Sequence, residues 1–171
     1  DPFASGTNSV PMPRDEGTTA RLNSIAAITT ALPSIKPVGG TPLAALIEDI
    51  AAYFGPDKDQ DPHFQSTTTD PTNGDPYYEC RSRVAMLITD GGANLHTGAS
   101  DGRAAAVQAA ALLLTRGIVL YVVVPGSKHI PAADLALADE IAAAGGTDHA
   151  WRVETAADLN LALKGVLQTA G

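Results

Sequence analysis

Apolar positions fall along this chain in two rhythms. Arg83 to Thr89 reads RVAMLIT, an almost unbroken apolar run that predicts a strand buried on both faces, and it leads Asp90 into a Gly-Gly turn. Ile118 to Val124, IVLYVVV, is a second wholly apolar strand, closed by Pro125 and Gly126, and Asp148 to Val153 makes a short third. Elsewhere the spacing is helical. Leu22, Ile25, Ile28 and Leu32 predict an amphipathic helix over 20–32, stopped by Pro33. Leu43, Leu46, Ile47 and Ile50 supply the apolar face of a helix ending near Phe54 and Gly55, and Thr41 then Pro42 fit an N-cap followed by Pro at the first helical position. An Ala-rich helix runs from Ser100 or Asp101 to about Arg116, with Gly117 as its stop. Another covers Pro131 to Ala144, closed by Gly145 and Gly146. The last reaches about Gln168 from Thr155, with Asp158 completing a capping box in which Asp replaces the usual Glu.

Strand and helix alternating in this way predict an α/β fold with parallel strands, right-handed crossovers and helices on both faces. Residues 1–19 read as a loop or extended leader, and 20–171 as one domain interrupted by a polar insert over 55–80, rich in Asp, Pro, Thr and Gly. The first residue is Asp1 rather than Met, which leads us to expect a trimmed or processed piece.

Composition narrows the partners. The 19 acidic and 11 basic side chains give a formal charge of −8, which disfavours a nucleic-acid backbone or an anionic membrane and suits a cation or a basic surface. No apolar run is long enough to predict a membrane span. Cys80, the single cysteine, allows no internal disulfide and leaves a bond to a cysteine outside this chain open.

The candidate chemistry sits where Gly-rich turns meet regular elements. Asp90 follows a strand, and in open parallel sheets ligands gather at the strands' carboxyl ends. The plain alternative is a turn cap, its carboxylate accepting from the amides of Gly91 and Gly92. Thr41 follows Gly39 and Gly40, and an N-cap role alone would explain it. Hydroxyl and carboxylate oxygens are hard ligands, suited to Mg²⁺ or Mn²⁺ rather than Zn²⁺. In the insert, Asp57, Asp59 and Asp61 alternate like the start of a calcium loop, with His63 nearby, but Pro62 and Thr68 stand where an EF-hand needs Gly and Glu. A solvated acidic loop is the alternative. No Gly-x-Ser-x-Gly elbow, Walker A loop or Gly-x-Gly-x-x-Gly turn is present, so a non-enzymatic role is expected. The alternatives are a Mg²⁺-dependent phosphohydrolase using Asp90 and a purely structural domain.

The segments GGTPL and LITDGGAN resemble the second and third metal-binding segments of the von Willebrand factor A-type domain. RGIVLYVVV and the ending through Trp151, Arg152 and Val153 look like that domain's last two strands, so the resemblance covers about Ala20 to Gln168. It implies a three-layer, Rossmann-like sheet whose first strands are missing from this chain, because the family's Asp-x-Ser-x-Ser segment has no counterpart here. The missing part would be a partner, as another segment or another chain. The resemblance further implies a metal-ion-dependent adhesion site. Thr41 would ligate directly and Asp90 directly or through water, while Gly40, Gly91, Gly92 and Asn94, with His96 and Ser100, would line the rim. A protein or surface ligand would supply an acidic group as the last ligand of a Mg²⁺ or Mn²⁺ ion; Ca²⁺ in the insert is an expectation of its alternating carboxylates alone. Cys80 and Arg81 just ahead of the strand, with the long polar insert, are similar to the A-type domains of bacterial type IV pilus tips. That implies an extracellular or cell-surface setting.

Overall fold

The computed structural model describes residues 18–31, 41–55, 78–80, 82–90, 92–93 and 101–170. The chain divides into two compact units: Asp1–Gly39 with Ala52–Glu79, and Gly40–Ala51 with Cys80–Gly171. In the first, α1 (Thr18–Ala31) forms where the helical spacing predicts it. Its apolar residues are not buried, however. Leu22, Ile25 and Ile28 are 59%, 57% and 46% exposed. A 3.6-residue period aligns side chains on one stripe but does not determine whether anything covers that stripe.

The second unit holds the sheet. In chain order it contains the start of α2 (Leu43–Phe54), β1 (Arg83–Ile88), α3 (Gly102–Thr115), β2 (Ile118–Pro125), α4 (Ala132–Ala144), β3 (Trp151–Val153) and α5 (Ala156–Ala170). The described residues thus form an α/β architecture of five α-helices and a three-stranded, all-parallel sheet ordered β1-β2-β3, compatible with a Rossmann-like fold. Register is set by Ile88 opposite Val123 and by Val123 opposite Trp151. None of these helices is long and apolar enough to cross a membrane.

Alternation along β2 sends its side chains to two cores. Ile118, Leu120, Val122 and Val124 are fully buried or nearly so on one face, and Leu120 meets Gly145 at the end of α4. On the other face Val123 joins Val153 and Ala162 of α5, with Met86, Trp151 and Leu159 packed around them. Helices therefore cover both faces of β2, and each fully buried aliphatic side chain contributes about 1.5–3 kcal/mol.

The strand buried on both faces is β2, whereas β1 departs from the expectation. Leu87 is its one fully buried residue, Val84, Ala85 and Met86 are half-buried, and Ile88 is 59% exposed. The cause is position, since β1 lies at a sheet edge among the described residues while α5 packs over β3. The third strand is also shorter than predicted. The Ala150 amide donates to Asp139 Oδ1 (3.0 Å) instead of extending the ladder, so Asp148 and His149 stay in a bend.

The predicted helix signals match better. Asp101 is the N-cap of α3 and accepts from the Arg103 amide (3.0 Å). Beyond α3, Gly117 takes a left-handed φ of 71° close to Arg83, whose guanidinium donates to the Arg116 carbonyl (2.8 Å) at the helix's negative end. Thr155 and Asp158 form the reciprocal capping box: Asp158 N donates to Thr155 Oγ1 (3.2 Å) and Thr155 N to Asp158 Oδ2 (2.9 Å). At α2 the cap is shifted by one residue. The Leu46 amide donates to the Pro42 carbonyl (3.0 Å), which places Pro42 rather than Thr41 at the N-cap.

Candidate functional site

Three strands running the same way bring their C-terminal ends to one rim. At this rim β1 runs into buried Thr89, whose amide donates to the Val123 carbonyl (3.1 Å), and the chain then turns at Asp90. The Asp90 side chain is exposed. Among the described residues its carboxylate accepts no hydrogen bond, neither from the Gly92 amide nor from Thr41. The turn-cap reading invoked the amides of Gly91 and Gly92; the Gly92 amide makes no such bond, and Gly91 lies outside the described residues. Asp90 is thus an acceptor presented to solvent at the place where parallel sheets hold ligands.

Gly92 shows what fixes this turn. A Cβ there would collide with the carboxylate of Asp134, in the first turn of α4. Arg103 holds that carboxylate in turn, through an ion pair of 3.2 Å from Nη1 and a second bond from Nη2 to the Ala133 carbonyl (2.7 Å). Among the described residues, the two carboxylates beside this turn therefore differ: Asp134 is paired, and Asp90 is not.

Thr41, the other expected ligand, is partly buried just ahead of α2. Gly40, Gly91, Asn94, His96 and Ser100 lie outside the described residues, as do Asp57, Asp59, Asp61 and His63 of the insert. Among the described residues, no group of three or more His, Cys, Asp or Glu side chains is arranged to hold a metal ion. The donor chemistry of Asp90 and Thr41 suits a hard cation, but two oxygens are fewer than the six or so that Mg²⁺ takes. Cys80 is exposed with a free thiol.

Sequence reasoning missed Asp134 and Arg103. An acid just after Pro131 at a helix start was the visible signal for Asp134, since anions favour helix N-termini. Nothing in the sequence joins it to Arg103, which is 31 positions away. A second polar cluster was missed beside it, beyond β2 and β3. Glu154 accepts from Ser127 Oγ (2.6 Å) and from the Lys128 amide (2.9 Å), and these bonds hold its carboxyl below the usual range. Asp158 is lowered as well, by the bond from the Glu154 amide (3.1 Å) and then by those with Thr155. Both carboxylates are engaged within the fold.

The chain matches no protein-family model, no curated protein and no solved structure.

Proposed function

We propose that this chain is the later portion of a von Willebrand factor A-type domain and that it serves cation-dependent adhesion or protein binding at a cell surface or pilus tip, with Asp90 and Thr41 as cation ligands. The observation that carries the reading is Asp90 itself, exposed at the carboxyl end of a parallel strand, with no hydrogen bond to its carboxylate among the described residues. The motifs GGTPL and LITDGGAN add the family resemblance. Among the described residues β1 is an edge strand, which is consistent with a neighbouring strand supplied by another segment or chain that would bring further ligands.

A bound Mg²⁺ or Mn²⁺ would supply an electrophilic bridge to an acidic group of the partner. In this chain Asp90 contributes a full negative charge and Thr41 a neutral hydroxyl. Arg103 neutralises Asp134, so the second rim carboxylate does not compete for the ion. Recognition of this kind breaks no covalent bond.

Calorimetric titration of the chain with MnCl₂ tests the proposal. Saturable binding is expected, weakened at least about tenfold by Asp90→Asn, the usual scale of a lost charged contact, and weakened by Thr41→Ala. Hydrolysis of p-nitrophenyl phosphate abolished by Asp90→Asn would replace adhesion with phosphohydrolysis. Absence of Mn²⁺ binding would leave a structural domain.

A further inference from the structure

Toward the other end of the strands, where the chain enters β3, α5 and the sheet border a groove of about 500 Å³. That size is within the range of small-molecule sites. Its described lining includes Tyr121 of β2, Asp148 and His149 of the preceding bend, Trp151 of β3, and Gly165 and Gln168 of α5.

Two of these side chains are placed in a way that burial alone does not explain. Tyr121 is only 8% exposed, and its hydroxyl makes no hydrogen bond among the described residues. No buried side-chain polar atom among the described residues lacks a partner, so this oxygen is not fully buried. Half-buried Trp151, the chain's one tryptophan, behaves alike: its Nε1–H has no partner among the described residues and is not fully buried. The Trp151 ring lies over Gly165, where a Cβ would run into it. Glycine is a poor residue for a helix interior, and room for the ring is the physical reason for it here. Asp148, His149 and Gln168 add exposed polar heads that make no hydrogen bond among the described residues.

The groove therefore offers aromatic surface with unengaged donors and acceptors around it. It has no Lys or Arg in its described lining, and neighbouring Arg152 is tied to Asp139 at 2.9 Å, so an anion finds no counter-charge. A quaternary ammonium would favour ring faces and a carboxylate, but it cannot engage the Tyr121 and Trp151 hydrogen-bonding groups. A neutral ring with an apolar face and a rim of hydroxyls engages both kinds of surface. We infer that this groove binds a pyranose sugar, against Trp151 and with hydroxyls bonded to Tyr121, Asp148 and Gln168. The inference is independent of the cation site.

The single tryptophan makes the test direct. The chain in EDTA is titrated with glucose, galactose, mannose and N-acetylglucosamine at millimolar concentrations while Trp151 emission is followed. Saturation-transfer NMR from the protein's aromatic protons to each sugar provides a second readout. A saturable emission change with at least one sugar is expected, weakened about tenfold by Tyr121→Phe, which removes only the hydroxyl, and reduced by Gln168→Ala on the exposed helix face. Three results would overturn the inference: no saturable response to any of the four sugars, equal affinity in both variants, or a response to tetramethylammonium alone.

Discussion

The carboxylate of Asp134 rests against Gly92, in the space that a Cβ at that position would need. This contact ties the turn after β1 to the first turn of α4, and Arg103 locks it from α3. Gly92→Ala must displace Asp134 and disturb its ion pair. Urea unfolding is expected to show a loss of about 1 kcal/mol, between overpacking and a weak surface ion pair. In an Asp134→Ala background the same substitution should cost nothing, and an additive double-mutant cycle would count against the contact.

Gly165 supports a prediction opposite in sign to the usual rule. Replacing a helix-interior glycine by alanine ordinarily stabilises by about 0.5–1 kcal/mol. Here the new methyl meets the Trp151 ring. Gly165→Ala should destabilise by about 1–3 kcal/mol and shift Trp151 emission, as read by chemical denaturation and fluorescence.

Much of this was legible in the sequence, and the limits follow from the range of each interaction. Capping by Asp101, the Thr155–Asp158 box and the stop at Gly117 involve residues a few positions apart, so local chemistry specifies them. The apolar run of β2 also reads correctly, because helices cover both its faces. The same kind of run in β1 misleads, since coverage depends on which strand lies at the edge. Likewise the stripe of α1 predicts a helix but not its burial. At the candidate site Asp90 is visible as a strand-ending acid. The Asp134 and Arg103 pair comes from two different helices and leaves no local trace.

Acid should weaken this fold in part through Glu154 and Asp158. Hydrogen bonds from Ser127 and Lys128 lower the first, and bonds from Glu154 and Thr155 lower the second. A carboxyl lowered in the folded state contributes stability that is present above its unfolded value and lost as pH falls through the folded one. Loss should thus begin in the ordinary carboxylate range, near about pH 4, and be complete only below the lowered values. Melting temperatures between neutral and strongly acidic pH should fall less steeply in Glu154→Gln with Asp158→Asn than in the unaltered chain; parallel curves would contradict the assignment.

The edge of β1 is a liability in isolation. With Ile88 59% exposed on a strand that is unpaired on one side among the described residues, the chain should self-associate as concentration rises. Ile88→Lys should suppress this in light-scattering measurements without lowering the melting temperature. A monomer at all concentrations before substitution would argue that the edge is already protected.

The central claim is that the Asp90 carboxylate, exposed at the end of β1 and without a hydrogen bond among the described residues, is a cation ligand. Its most direct test is paramagnetic broadening of amide signals in the ¹⁵N-labelled chain by substoichiometric Mn²⁺. The account predicts broadening centred on Thr41, Thr89, Asp90 and Gly92, sparing β3 and α5, and abolished in Asp90→Asn. Broadening that is absent, or that persists unchanged in Asp90→Asn, would contradict it.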